Sequence, residues 1–156
     1  MTTFVTLKLR CPDCSGKFYA DSLASFGFAN VDEHLCKKYW GYNPMVIFYA
    51  MCPHCNLVDF PSNFEMIDDD IEEDLPYSEE TCDKYDILIE EVKNGDNSSL
   101  NLAHLYHQSA CCRKIEGLDY VEYLKKAHYY FKLVKEEGIE EFLRTPIEDW
   151  IEATKI

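Results

Sequence analysis

The sequence predicts an α+β protein: a small N-terminal β module held by four cysteines, followed by a C-terminal antiparallel helical bundle. Three observations predict it. Two short cysteine pairs, Cys11-Pro12-Asp13-Cys14 and Cys52-Pro53-His54-Cys55, each follow an apolar run suited to a strand. Beyond about residue 78, apolar residues recur at helical spacing as far as Trp150 and Ile151. Between these regions the charge changes abruptly. Residues 1–64 balance Lys8, Arg10, Lys17, Lys37 and Lys38 against Asp13, Asp21, Asp32, Glu33 and Asp59, so the whole formal charge of −14 lies beyond residue 64. A chain of 156 residues, 47% hydrophobic and 14% aromatic, has ample material for one compact domain or two small ones.

The first strand is read from Val5, Leu7 and Leu9, which alternate with polar residues before Cys11. The continuous apolar stretch Met45 to Met51 suggests a second before Cys52. Cysteines three apart in a tight turn can aim both thiolates at one ion, and two such turns complete a tetrahedron with metal–sulfur distances of ~2.3 Å. Proline after the first cysteine fixes the turn, and Ser15-Gly16 and Asn56 after the second are types that tolerate positive φ. Strand and knuckle, twice over, reads as a zinc-ribbon-like module over residues 1–64, with Cys11, Cys14, Cys52 and Cys55 as the ligands of one structural Zn²⁺. Iron stays open, because a sulfur quartet accepts either ion. The interval from Ser15 to Met51 exceeds the simplest ribbon spacing and must hold an excursion. A redox C-x-x-C pair is the competing reading, but it calls for a single pair opening a helix in a βαβ unit.

Residues 65–77, with Asp68, Asp69, Asp70, Glu72, Glu73 and Asp74 crowded before Pro76, read as a solvated acidic linker. They lack the ligand spacing and central glycine of an EF-hand. Residues 78–156 read as the helical module. Ser78 is expected to cap a helix through Tyr85, Leu88, Ile89 and Val92 to Gly95, and Ser98 or Ser99 a second from Leu100 to about Glu116. Asp119 with Glu122 forms a capping-box-like start to a third, which carries Tyr120, Tyr123, Leu124, Ala127, Phe131 and Val134 and stops at Gly138. A short segment, Ile139 to Leu143, precedes a fourth helix starting at Thr145-Pro146 with Glu148 in its first turn. Ala127 and Phe131 match the second-helix element of a tetratricopeptide repeat, with Leu102, Leu105 and Tyr106 as the face it packs on. One partial repeat predicts a hairpin within a bundle rather than a solenoid.

The order of CPDC, an interval ending in Tyr39-Trp40-Gly41-Tyr42-Asn43-Pro44-Met45, the aromatic stretch through Tyr49, CPHC, and then tetratricopeptide-like helices resembles an uncharacterised bacterial family of zinc-ribbon proteins known as a domain of unknown function. The resemblance implies zinc at Cys11, Cys14, Cys52 and Cys55 and supplies no activity. Asn56 departs from it, since similar knuckles commonly carry glycine there; asparagine reaches the same left-handed conformation.

Other candidate sites follow from the remaining cysteines and histidines. No secretory signal or bilayer-length apolar run is visible, so a cytoplasmic protein is expected, with Cys36, Cys82, Cys111 and Cys112 as free thiols rather than disulfides. His104, His107 and Cys111 fall at i, i+3 and i+7 of one helix, where they could share a face and hold a second metal, although helix faces collect such residues for packing more often. Cys36 reads as a buried thiol or spare ligand, and His54 as an exposed group beside the metal shell. Three functional classes follow. The leading one is a non-enzymatic, zinc-stapled protein whose partner is another protein. The second is a thiol redox or metal-dependent enzyme using the spare cysteines and histidines. The third, nucleic-acid binding, is disfavoured by a neutral ribbon and an acidic remainder that cannot displace counterions from phosphate.

Overall fold

A computed structural model describes residues 3–139 and 144–156. The fold is α+β, with short antiparallel strands in the N-terminal half and four helices in the C-terminal half. The chain divides into two compact units, one of residues 1–27 with 39–84 and one of residues 28–38 with 85–156. The excursion between the cysteine pairs thus contributes a piece to the helical unit, and residues 65–84 belong with the strands.

In the first unit, β1 (Thr3–Arg10) pairs antiparallel with β2 (Lys17–Ser25), with Leu9 opposite Phe18 and Arg10 opposite Lys17. On the other side β1 takes β7 (Glu65–Met66), giving the order β2-β1-β7. The alternation seen in the sequence holds only at the knuckle end: Leu9 is fully buried, whereas Val5 is half exposed. Leu9, Cys11, Phe18, Ala20, Ala50, Cys52 and Phe64 form the core, and Phe18 meets Phe64 edge to face at 5.4 Å.

Two expected elements differ. The Met45–Met51 run is not one strand. Asn43 accepts a hydrogen bond from the Met45 N–H and starts a 3₁₀ turn over Pro44–Ile47, leaving only β5 (Ala50–Met51), which pairs with β6 (Val58–Asp59). Nor is 65–77 a solvated linker. Lys8 is almost buried and forms ion pairs with Asp69 and Glu73, Lys17 reaches Glu73 at 2.6 Å, and the Tyr19 hydroxyl donates to the Glu73 carbonyl. The segment ends as a parallel bridge between Tyr77 and Tyr19. Ser78, expected as a helix cap, instead donates its N–H to the Tyr19 carbonyl and accepts the Met51 N–H on its hydroxyl.

The first helix therefore starts later, as α1 (Lys84–Asn94). Lys84 is buried and donates to the carbonyls of Val46 (2.8 Å) and Tyr49 (2.9 Å), holding the end of the 3₁₀ turn; burial pushes its ammonium down to about 8.

The second unit holds β3 (Phe28–Val31) and all but the last residue of β4 (Lys37–Tyr39), which form a two-stranded sheet. α2 (Ser99–Ile115) is capped by Ser98, whose hydroxyl accepts the Asn101 N–H, and Gly117 after it adopts positive φ. α3 (Val121–Glu137) ends at left-handed Gly138 as the sequence suggests, but its start is not a full capping box: Asp119 accepts the Val121 N–H while Glu122 pairs with Lys125. α4 (Ile147–Thr154) follows Pro146. The expected Ile139–Leu143 segment lies, beyond Ile139, outside the described residues. Leu102, Ala103, Tyr106, Ala127, Phe131 and Val134 bury the facing sides of α2 and α3, and Trp150 of α4 stacks on Phe131 at 5.1 Å. Among the described residues, no helix is long and apolar enough to cross a membrane.

Candidate metal centre

The two knuckles have the same backbone wiring. In the first, the Cys11 N–H donates to the Gly16 carbonyl and the Ser15 N–H to the Cys11 carbonyl; in the second, Cys52 N–H donates to Leu57 and Asn56 N–H to Cys52. Each turn closes through a left-handed residue, Ser15 at φ 62° and Asn56 at φ 66°, the conformation their residue types tolerate.

The turns bring four sulfurs together. Cys11 Sγ lies 3.5 Å from Cys55 Sγ, and Cys14 Sγ 3.7 Å from Cys52 Sγ. All four sulfurs fall within 4.8 Å of one another. A tetrahedral ion with metal–sulfur bonds of ~2.3 Å places its ligands ~3.8 Å apart, so the quartet is positioned to bind a metal ion. Cys11 and Cys52 are buried in the core of the unit while Cys14 and Cys55 face outward, so the ion would join core to rim.

The electrostatics show why these thiols want a cation. The Gly16 N–H, 3.4 Å from Cys14 Sγ, pulls that thiol down to about 7. At Cys55 the Leu57 N–H pulls downward too, but burial and the neighbouring sulfurs outweigh it and push the thiol up to about 12; burial also raises Cys52. One thiolate forms readily and then opposes the others. A divalent ion removes that conflict by neutralising the crowded charge.

His54 does more than sit beside the shell. Its imidazole is exposed, yet Nε2 lies 2.8 Å from the Lys17 carbonyl and the ring covers Gly16, so the second knuckle is latched over the first. The Gly-then-His pairing across a gap of 38 positions carries no local sequence signal.

The second cluster is not the one expected. His104 packs edge-on against Phe131 and Trp150 and belongs to no ligand set among the described residues. His107 and Cys111 do come together, and their third member is Cys36. Cys36 and Cys111 form a disulfide, and Cys82 and Cys112 are also disulfide-bonded, so the expectation of four free thiols is corrected. The Cys36 loop is shaped for this: Asp32 accepts the N–H groups of His34 and Cys36, Leu35 takes positive φ, and Lys114 of α2 reaches Asp32 at 2.7 Å. Burial alone would raise the Asp32 carboxyl, but Lys114 and the two N–H groups hold it below its usual value. His107, buried, is pushed down to about 4 and stays neutral, its Nε2 2.7 Å from the His34 carbonyl.

No curated protein and no solved structure matches the chain. Residues 4–84, which carry the β1–β2 hairpin, both knuckles and the acidic segment, match the family described as "Uncharacterized protein conserved in bacteria (DUF2225)". With just over half of its length matched, including every sulfur of the candidate centre, the chain belongs to the DUF2225 family.

Proposed function

We propose that this is a zinc-binding protein in which one structural ion at Cys11, Cys14, Cys52 and Cys55 fixes the strand unit, and that the protein works by docking another protein. The carrying observation is the sulfur quartet, with paired distances of 3.5 and 3.7 Å. Four protein sulfurs fill a tetrahedron and leave no position for water or substrate, which is how structural rather than catalytic zinc is held. Sulfur-only ligation favours zinc among the common divalent ions. A docking role is supported by large aromatic side chains left half exposed on the strand unit, Trp40 and Phe60 among them, since such residues anchor protein interfaces.

Metal analysis of the oxidised, purified chain tests the first part: one zinc per chain is expected, and it should be lost in Cys11→Ser and in Cys52→Ser. Retention of the ion in either variant overturns the assignment. The docking reading predicts that a bacterial protein recovered with the wild type is lost with Trp40→Ala while zinc content stays unchanged. Cysteine-dependent turnover of a thiol or ester substrate by the purified chain would replace docking with catalysis.

A further inference from the structure

We infer a second, redox-gated metal site in the helical unit, made by Cys36, His107 and Cys111 and available to a thiophilic cation once the Cys36–Cys111 disulfide is reduced. Its three donor atoms already lie within 4.8 Å of one another and all three residues are buried. The histidine keeps one nitrogen free to act as a ligand. Nε2 sits 2.7 Å from the His34 carbonyl, which fixes the proton there and leaves the lone pair on Nδ1; Cys111 Sγ lies 3.5 Å from Nε2 and 3.9 Å from Nδ1. Metal-bound histidines commonly donate their other N–H to a carbonyl in this manner. With metal–sulfur and metal–nitrogen bonds of ~2.3 and ~2.0 Å, ligand atoms stand ~3.5–3.8 Å apart; Nδ1 is 3.9 Å from Cys111 Sγ, and the two sulfurs, bonded to each other in the disulfide, have to move apart to that spacing after reduction.

The loop carrying Cys36 is held independently of the disulfide. Asp32 accepts the Cys36 N–H at 3.0 Å and binds Lys114 of α2, so breaking the sulfur–sulfur bond leaves Cys36 facing Cys111. Two electrons and two protons from a dithiol, which becomes a disulfide, convert the pair to two thiols. Each thiol gives up its proton on ligation, and the neutral imidazole supplies the third donor. Two thiolates and one imidazole suit a soft ion, and three protein ligands leave one position for an outside donor. The same two elements are thus joined by a disulfide when oxidised and by an ion when reduced.

Zinc stoichiometry of the full chain tests this, with protein kept oxidised compared against protein prepared throughout in a water-soluble phosphine, which becomes its oxide as one water supplies the oxygen and the two protons of the thiols. The reduced chain should bind one more equivalent of Zn²⁺ than the oxidised chain, and Co²⁺ should show an added sulfur-to-metal charge-transfer band. Cys36→Ser and His107→Gln should abolish the additional equivalent and leave the first; Cys82→Ser should retain both. Equal stoichiometry in the oxidised and reduced wild type overturns the inference without reference to any variant. So does loss of the additional equivalent in Cys82→Ser, or its full retention in His107→Gln. Failure at Cys11, Cys14, Cys52 and Cys55 would appear separately, as loss of the equivalent bound by the oxidised chain.

Discussion

The imidazole of His54 occupies the space that a side chain at Gly16 would need: a Cβ there would stand 2.4 Å from Cδ2 of the ring. Gly16 also supplies the carbonyl that accepts from Cys11 and the N–H directed at Cys14, so its backbone cannot shift without disturbing two ligands. Gly16→Ala should destabilise the strand unit by about 1–3 kcal/mol, the usual range for overpacking. Adding His54→Ala should recover most of the loss, because the second change removes the clash. Denaturant unfolding of the four proteins of this double-mutant cycle measures the coupling, and strict additivity would disprove the latch.

Acid should loosen the same unit through Glu73. Lys17, and then Lys8, hold its carboxyl down at about 2. The unfolded chain, with an ordinary glutamate near ~4.3, takes up the proton first, so this contribution is complete above that value and is lost as pH falls toward 2. Glu73→Gln should flatten the stability profile between roughly pH 4.5 and 2. An unchanged acid limb in that variant would remove Glu73 from the account.

Lys84 should act in the alkaline range, with stability again rising with pH. Its folded value of about 8 lies below the ordinary 10.5, so between those values the unfolded chain holds more protons and stability rises with pH. Lys84→Met should abolish that rise. It should also cost about 1–3 kcal/mol at neutral pH by leaving the Val46 and Tyr49 carbonyls without their donor. Thermal unfolding from pH 7 to 10.5 checks both effects.

The disulfide between Cys36 and Cys111 closes a long loop, with a sequence separation of 75. Cys36→Ala should destabilise the helical unit by about 2–4 kcal/mol without added metal. Calorimetry of the oxidised wild type against the variant measures it, and an unchanged transition would show that the bond constrains little.

The parts of the fold visible in the sequence are those set by near neighbours. The knuckles are legible because three-residue spacing, Pro12, Pro53 and left-handed Asn56 act within a single turn. The ends of α2 and α3 are legible through Ser98, Gly117 and Gly138. What escaped depends on distant partners. The carboxylates of residues 65–77 look like a linker until Lys8 and Lys17 are seen to neutralise Asp69 and Glu73. Ser78 has the chemistry of a helix cap and spends it on Met51 instead. The Met45–Met51 run is apolar throughout, so its hydrophobicity cannot distinguish a strand from the turn that Asn43-Pro44 initiates. Cys36 and Cys111 have no spacing signal at all, being brought together by the β3–β4 loop meeting α2.

The helical unit takes its first piece, residues 28–38, from a point well before its remainder begins at residue 85. On a ribosome adding ~5–20 residues each second, Cys36 emerges roughly 4–15 s before the Cys111 it must meet, given their separation of 75. Cys52 and Cys55 arrive within that interval, so the quartet can close while Cys36 is still waiting. Order of birth thereby keeps the last cysteines, Cys82, Cys111 and Cys112, from competing while the quartet closes, and Cys36, made between its two pairs, waits for the helix that follows.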